Sequence, residues 1–321
     1  MTQIMDRIRV QDGVVTTEPT SFHEAIDLVA QEKLRGIMVR DDFADKRPNP
    51  PVVDLSRLMT APFIEDFGTS PGLSPKRFIH FEALYELPNL KKLGMHSYAK
   101  VDLSHFPKLE MLFLTDGPNC AGLGSLTQLK YACIWKLNNP DLSFVAKMSR
   151  LTEIRLIQMR HPRIEGLDQS AALSILDLSH NSKLASIGRM PKSLTKLKVR
   201  KCGELRDLAF LAHHQNLEFL YFDVMENLAF VPDLPMLAYI GFENVLDGDL
   251  SPLLKSASLT KVGFHPPKRK HYSHSLPDLT RLLDANRRQK RHAGPTISSD
   301  CLSATAAPPR LNRRPNGYES R

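Results

Sequence analysis

The sequence predicts an α/β solenoid, in which a short strand, a turn and a return along the back recur as one coil after another. Three observations carry that prediction. The element L-x-x-L-x-L, with other aliphatic or aromatic residues allowed, begins at Leu90, Leu109, Leu129, Leu151, Leu173, Leu194, Leu217, Leu237 and Leu259. The intervals run only from 19 to 23 residues, and self-similarity at such a period marks a repeat architecture. Within one copy, LSILDLSHNSKLASIGRMPKSL (173–194), the apolar residues alternate briefly, turn at Asn181 and then step by threes. Neither a helix of period 3.6 nor a single strand does this over its whole length. Finally, Pro88, Pro107, Pro191 and Pro235 stand just before the next strand, where proline stops a helical turn and biases its predecessor towards extended backbone.

Each part of the coil follows from its residues. In the strand, Leu176 and Leu178 point to one face and Ile175, Asp177 and Ser179 to the other. One coil cannot bury its Leu set alone, so neighbouring coils stack and pair their strands in parallel. The Asn181 amide can bond backbone groups where the chain leaves the strand. Leu184, Ile187 and Met190 then close the coil from the outer side. The form L-x-x-L-x-L-x-x-N-x-L-x-x-I resembles the leucine-rich repeat, in its short-period internalin-like and phosphatase-regulator-like class. The resemblance covers roughly 84–283, and a bacterial source is expected from it. It implies a right-handed solenoid with a parallel β-sheet on the concave face, short helical or 3-10 segments on the convex face, and helical caps. Cys202 replaces the Asn in the coil after 173–193, as the family pattern permits. Met225 and Val245 replace it further on, and a Thr-Asp-Gly-Pro-Asn turn follows Leu114, so irregular turns are expected there.

The ends differ from the repeats. In SFHEAIDLVAQEKLRGIMV, Ser21 and Glu24 have the spacing of a capping box, and Phe22, Ile26, Val29 and Lys33 share one helical face. Leu34, Ile37 and Val39 repeat the core spacing. Residues 41–51 read as a loop, and 52–83 as one more irregular repeat with a strand near 64–67. Ser275 is placed as the N-cap of a final helix with Pro277 in its first turn. Its stripe of Leu276, Leu279, Leu282 and Leu283 suits the exposed edge of the last coil. The expected organisation is an N-terminal cap with degenerate repeats over 1–83, repeats over 84–270, a capping helix over 271–292 and a disordered basic tail over 293–321.

Composition narrows the function. A content of 42% hydrophobic and 24% charged residues is ordinary for a globular protein. No apolar run has the ~18 residues of a membrane span, and the N-terminus lacks the apolar core of a secretory signal. Cysteines 120, 133, 202 and 301 form no C-x-x-C pair, which points to a reducing, cytoplasmic location. Residues 266–321 carry 12 Lys/Arg against 4 Asp/Glu, which accounts for the whole net charge of +8 and leaves 1–265 neutral. No phosphate-loop, dinucleotide or zinc-protease motif occurs, and Cys301 is an ordinary tail cysteine, so no catalytic residue is assigned and no enzyme is expected. His265, His271 and His274 lie beside Lys268, Arg269 and Lys270, which oppose a divalent ion; no metal or other cofactor is expected. The cations Arg287, Arg288, Lys290 and Arg291 suit a helix C-terminus and are the basis of an alternative reading, nucleic-acid or anionic-surface binding. An enzyme with an unrecognised site is the other alternative.

The outward strand positions say more. They gather Phe113, Tyr131 and the single Trp, Trp135, in one cluster, and Phe219, Tyr221 and Tyr239 in another. Between them lies a charged band of Glu153, Arg155, Asp177, Lys196, Lys198 and Arg200. Strand propensity explains aromatics in strands, but not their presentation outward in company with charges, which is the composition of interface hot spots. Nine strands at ~4.8 Å make an arc of roughly 40 Å, and with ~20 Å of width a face of about 800 Å², one side of a standard protein interface. The expected function is a non-enzymatic protein-binding scaffold with Phe113, Tyr131, Trp135, Arg155, Asp177, Lys198, Phe219, Tyr221 and Tyr239 as partner-binding residues. Free-standing repeat proteins of this kind resemble adaptors, toxin-neutralising partners and effectors. The expected partner is another protein and not nucleic acid, and Lys183 and Lys192 are placed on the convex side.

Overall fold

The computed structural model describes residues 8–41, 51–70, 73–95, 101–115, 120–206, 208–212 and 214–292. The expected tail over 293–321 with Cys301, residues 42–50 of the expected loop, and residues 116–119 of the turn after Leu114 lie outside the described residues. Among the described residues, thirteen strands form one sheet in chain order, and every neighbouring pair is parallel except the first. The strands of the nine copies are in register, so Leu93, Leu112, Ala132, Ile154, Leu176, Leu197, Leu220, Ile240 and Val262 make one inward row. All nine are buried, as are the return-side residues Leu184, Ile187 and Met190. The other side of most coils is a short 3-10 turn, such as Leu103–His105, Ser143–Lys147, Leu167–Gln169 and Val231–Asp233, while the 173–193 coil returns through the short strand Ser186–Ile187 and the coil from Leu237 through the helical turn Pro252–Lys255. A turn of that kind spends few residues, which fits a period near 21.

At the N-terminus the sheet begins with an antiparallel hairpin, Ile8–Gln11 and Val14–Thr17, which the repeat spacing does not announce. Its turn is Asp12-Gly13 with φ of 50° and 73°, the two-residue turn whose twist matches paired strands. The helix Phe22–Glu32 buries Phe22, Ala25, Ile26 and Val29 against the first coils. The capping box does not form. Ser21 ends a 3-10 turn, Pro19–Ser21, that runs into the helix, and its side chain caps nothing. Lys33 is not on the apolar face but ends the helix in a left-handed conformation at φ 53°. The strand expected near 64–67 runs from Asp66 to Thr69, with all four of its residues buried and Ile64 buried just before it.

At the other end the helix Leu276–His292 covers the last strand, Lys261–Phe264, with Leu279 and Leu283 buried. Ser275 caps it: its hydroxyl accepts the Asp278 N–H at 3.3 Å and donates to the Asp278 carboxylate at 2.6 Å. Tyr272 seals the same edge. Its ring meets Phe242 and Phe264 edge-on, and its hydroxyl accepts the Val245 N–H at 3.0 Å and donates to Asn244 at 3.2 Å.

Candidate partner-binding face

Strand alternation gives the concave sheet three outward rows. The first contains Met111, Tyr131, Glu153, Ile175, Lys196, Phe219, Tyr239 and Lys261. The middle one contains Phe113, Cys133, Arg155, Asp177, Lys198, Tyr221, Gly241 and Gly263. The third contains Thr115, Trp135, Ile157, Ser179 and Arg200. All nine residues read from the sequence as partner-binding therefore lie on one surface, in two groups joined by a charged middle.

In the first group the Phe113 and Tyr131 rings meet at 5.2 Å, and the Arg155 guanidinium sits 5.7 Å over Tyr131. Arg155 in turn donates to Glu153 at 2.8 Å. In the second group Phe219 and Tyr239 stack at 4.5 Å with planes 12° apart. Tyr239 lies flat because Gly241 and Gly263 have no side chains: a Cβ on either would come within 2.8 Å of the phenol oxygen. The result is an aromatic shelf, with the Lys196 and Lys198 ammonium groups 5.4 and 5.9 Å above Phe219.

Two expectations about this face change. The aromatics are half-buried in one another, not fully exposed, because adjacent strands bring their rings into contact. Asp177 is only 2% exposed and accepts hydrogen bonds from Arg200 at 2.8 Å and Ser179 at 2.7 Å. It therefore holds Arg200 in place and is not itself presented to a partner. Burial also moves the titrating groups. It pushes the Tyr131 hydroxyl up to about 12 and the Cys133 thiol up to about 11, and raises Tyr221, so these groups are neutral at ordinary pH.

The edge where the strands end is built by a second ladder. Lys136, Gln158, His180 and Lys201 all have φ between 53° and 58°. The first three donate their N–H to the next coil, at Ile157, Ser179 and Arg200, over 2.7 to 3.1 Å. Lys201 donates instead to the Asp223 carboxylate at 2.5 Å, and there the ladder stops. Lys183 belongs to this edge, beside Gln158, Arg160 and His180; the turn at His180 carries it away from the convex side expected for it. Below the ladder, Asn181 is fully buried. Its amide accepts the Met159 N–H at 2.7 Å and donates to the Leu156 carbonyl at 3.0 Å, both in the preceding coil. Cys202 occupies the same place one coil on, with its sulfur 3.7 Å from the Leu178 carbonyl. A turn that bonds back to the coil before it, beneath an in-register parallel ladder with its Leu set inside, decides the architecture.

The chain is a leucine-rich-repeat solenoid.

No family model and no curated protein matches the sequence. Among solved structures the solenoid is similar to an internalin, inlF, from Listeria monocytogenes, at 12% identity over 87% of this chain and 86% of that one, with a TM-score of 0.47. It is also similar to the leucine-rich repeat domain of APL1B, at 14% identity over 76% and 78%, with a TM-score of 0.42. A third is a leucine-rich-repeat protein of Leptospira interrogans, at 12% identity over 77% and 82%, with a TM-score of 0.34. The assignment of the solenoid rests on its own ladder. Where Met225 and Val245 replace the Asn, the solenoid keeps its strands going: Phe219–Met225 and Tyr239–Val245 are seven residues long, paired through Val224 with Asn244 and Met225 with Val245.

Other polar residues near the C-terminal end bond within the last coils and the final helix. The His271 ring is 3.2 Å from the Val245 carbonyl, His274 pairs with Ser273 at 2.9 Å, and Arg287 bonds Asp284 and the Thr260 carbonyl. Among the described residues, no three His, Cys, Asp or Glu converge as a metal site would require. No helix of the described residues is long and apolar enough to cross a membrane.

Proposed function

We propose that the protein is a non-enzymatic scaffold that captures a partner protein on its concave sheet. The observation that carries this is the pair of aromatic groups, Phe113 with Tyr131 and Phe219 with Tyr239, set on a rigid in-register surface around a charged middle. Half-buried, pre-packed aromatics lose little conformational freedom on binding, and central aromatics beside Arg dominate interface energies. Trp135, Arg155, Asp177, Lys198 and Tyr221 belong to the same surface, Asp177 through its hold on Arg200. Adaptor, toxin-neutralising and effector roles are all capture roles that such a surface serves. A cytoplasmic location belongs to the same proposal and is supported by the free, buried thiols Cys133 and Cys202.

The test is capture from the lysate of the native cell by the immobilised chain, with Trp135→Ala and Tyr221→Ala beside Lys192→Ala and the convex Arg189→Ala. Loss of one central aromatic typically costs about 2 kcal/mol or more, so the aromatic variants should lose the partner while melting as the parent does. Retention by both aromatic variants, with loss in the Lys192 and Arg189 variants, would move the binding surface elsewhere.

A further inference from the structure

We propose that the partner segment seated here is an acidic stretch of polypeptide that crosses the sheet along the Lys196–Arg200 strand into the strand-end groove at Arg160, His180 and Lys183. The proposal rests on the reading of the concave sheet as the binding surface and adds the chemistry of what binds.

The strand reads KLKVR, so alternation turns Lys196, Lys198 and Arg200 outward in one line. The line is about 13 Å long, at ~3.3 Å per residue. Arg200 is paired with Asp177, but among the described residues Lys196 and Lys198 form no ion pair. Their ammonium groups both lie over the Phe219 ring instead. A ring attracts a cation through its quadrupole but does not neutralise it, so two like charges remain side by side, open to an anion.

The line continues past the edge of the sheet. The His180 N–H bonds the Arg200 carbonyl at 2.8 Å, so the end of the strand adjoins the His180 turn, which lines an open groove of about 600 Å³. Its lining includes Arg160, His180 and Lys183 and contains no carboxylate. Among the described residues, neither Arg160 nor Lys183 forms an ion pair. Of the carboxylates of this neighbourhood, Glu153 is paired with Arg155 and Asp177 with Arg200; Asp223 accepts the Lys201 N–H and keeps its charge, and it and the exposed Glu243 lie on the Tyr221 side of the Lys196–Arg200 strand. Glu204, one coil beyond Lys183, forms no ion pair with it. Cationic side chains therefore run from mid-sheet to the strand-end edge, on a body whose residues 1–265 are neutral overall. A localised stripe of one sign selects and steers a partner of the opposite sign.

The same geometry favours carboxylates over nucleic acid. A base would have to stack on an open ring face, and the face of Phe219 is occupied by the two ammonium groups. Carboxylates meet those groups where they stand. Beside them, the edges of the stacked Phe219 and Tyr239 rings leave apolar surface, which suits aliphatic residues next to the acidic ones.

A random-peptide phage library selected on the immobilised full chain tests this, with the winning peptides measured by fluorescence polarisation. The expected result is enrichment in Asp and Glu and a loss of about tenfold or more in affinity on Lys196→Glu with Lys198→Glu. The same loss is expected when the peptide carboxylates become amides, and none on Lys192→Glu. Thermal melts confirm folding, and Lys198→Gln replaces any reversed variant that melts early. Peptides that lose affinity on Tyr221→Ala, but show no acidic enrichment and no response to charge reversal, overturn the acidic segment and leave the concave face standing. Peptides indifferent to Trp135→Ala, Tyr221→Ala and charge reversal overturn both. A single-stranded oligonucleotide that displaces the peptides and binds more tightly overturns the proposal in favour of nucleic acid.

Discussion

Asn181→Met places at the turn the residue type that the coil two positions further on uses at Met225. The substitution should nevertheless be costly. Asn181 accepts one backbone N–H, from Met159, and donates to one backbone carbonyl, of Leu156; methionine does neither. At Met225 the backbone extends as strand and pairs with Val245, so no amide is needed there. At 181 the left-handed His180, φ 58°, turns the chain off the sheet, and strand pairing is not available as a substitute. Two buried backbone groups are left without partners at about 1–3 kcal/mol each. Burial of the methionine side chain returns part of this, about 1.5–3 kcal/mol at most. The net loss should centre near 2 kcal/mol. Urea unfolding followed by circular dichroism reads the midpoint, and amide exchange reads Met159 directly. An unchanged midpoint together with an undiminished protection of the Met159 N–H would refute the idea that the amide closes the coil.

Three further outcomes are expected. Leu176→Asp puts an unpaired charge at a fully buried central position, and because each coil leans on its neighbours the repeats should unfold nearly as a unit; an unchanged melt would mean that the inward row is misassigned. A chain ended after His292 should melt with the full chain, since the composition of 293–321 cannot bury enough apolar area to offset its ordering; a clear drop would show that those residues dock on the body. In alkaline solution, Cys133 and Tyr131 are held protonated by burial, with values raised from 9.0 to about 11 and from 10.0 to about 12. Their contribution is intact below the unfolded values and is lost as pH rises through 9 to 12. The melting temperature should therefore fall in that window and recover in part in Cys133→Ser; a flat profile from pH 8 to 12 would contradict the burial of both groups.

What was legible in the sequence was the repeat, because a Leu set at a fixed period admits one way of being buried. The inward row, the Asn181 bonds and the final helix all follow from that. The N-terminal hairpin carries no Leu period, and its signal was the Asp12-Gly13 pair between Val10 and Val14. The capping box failed because Pro19 starts a 3-10 turn one step early and leaves Ser21 inside the turn. The outward rows could be listed from alternation alone, yet their packing could not. That Tyr239 lies flat depends on glycines paired across adjacent strands, Gly241 and Gly263, and that Asp177 is buried depends on Arg200 reaching back from the next coil. The strand-end groove was missed because it is made of single residues from successive coils, His180 and Lys183 from one and Arg160 from the coil before.

The central claim is that a partner binds the concave sheet, and the chain carries its own reporter there. Trp135 is the only tryptophan, and it stands half-buried in the third outward row. Titration of the chain with the partner recovered from the native cell, itself made free of tryptophan, should shift Trp135 emission to shorter wavelength in step with binding, as the ring loses its remaining water. Saturable binding that leaves the emission unmoved would place the partner on another surface and contradict the account.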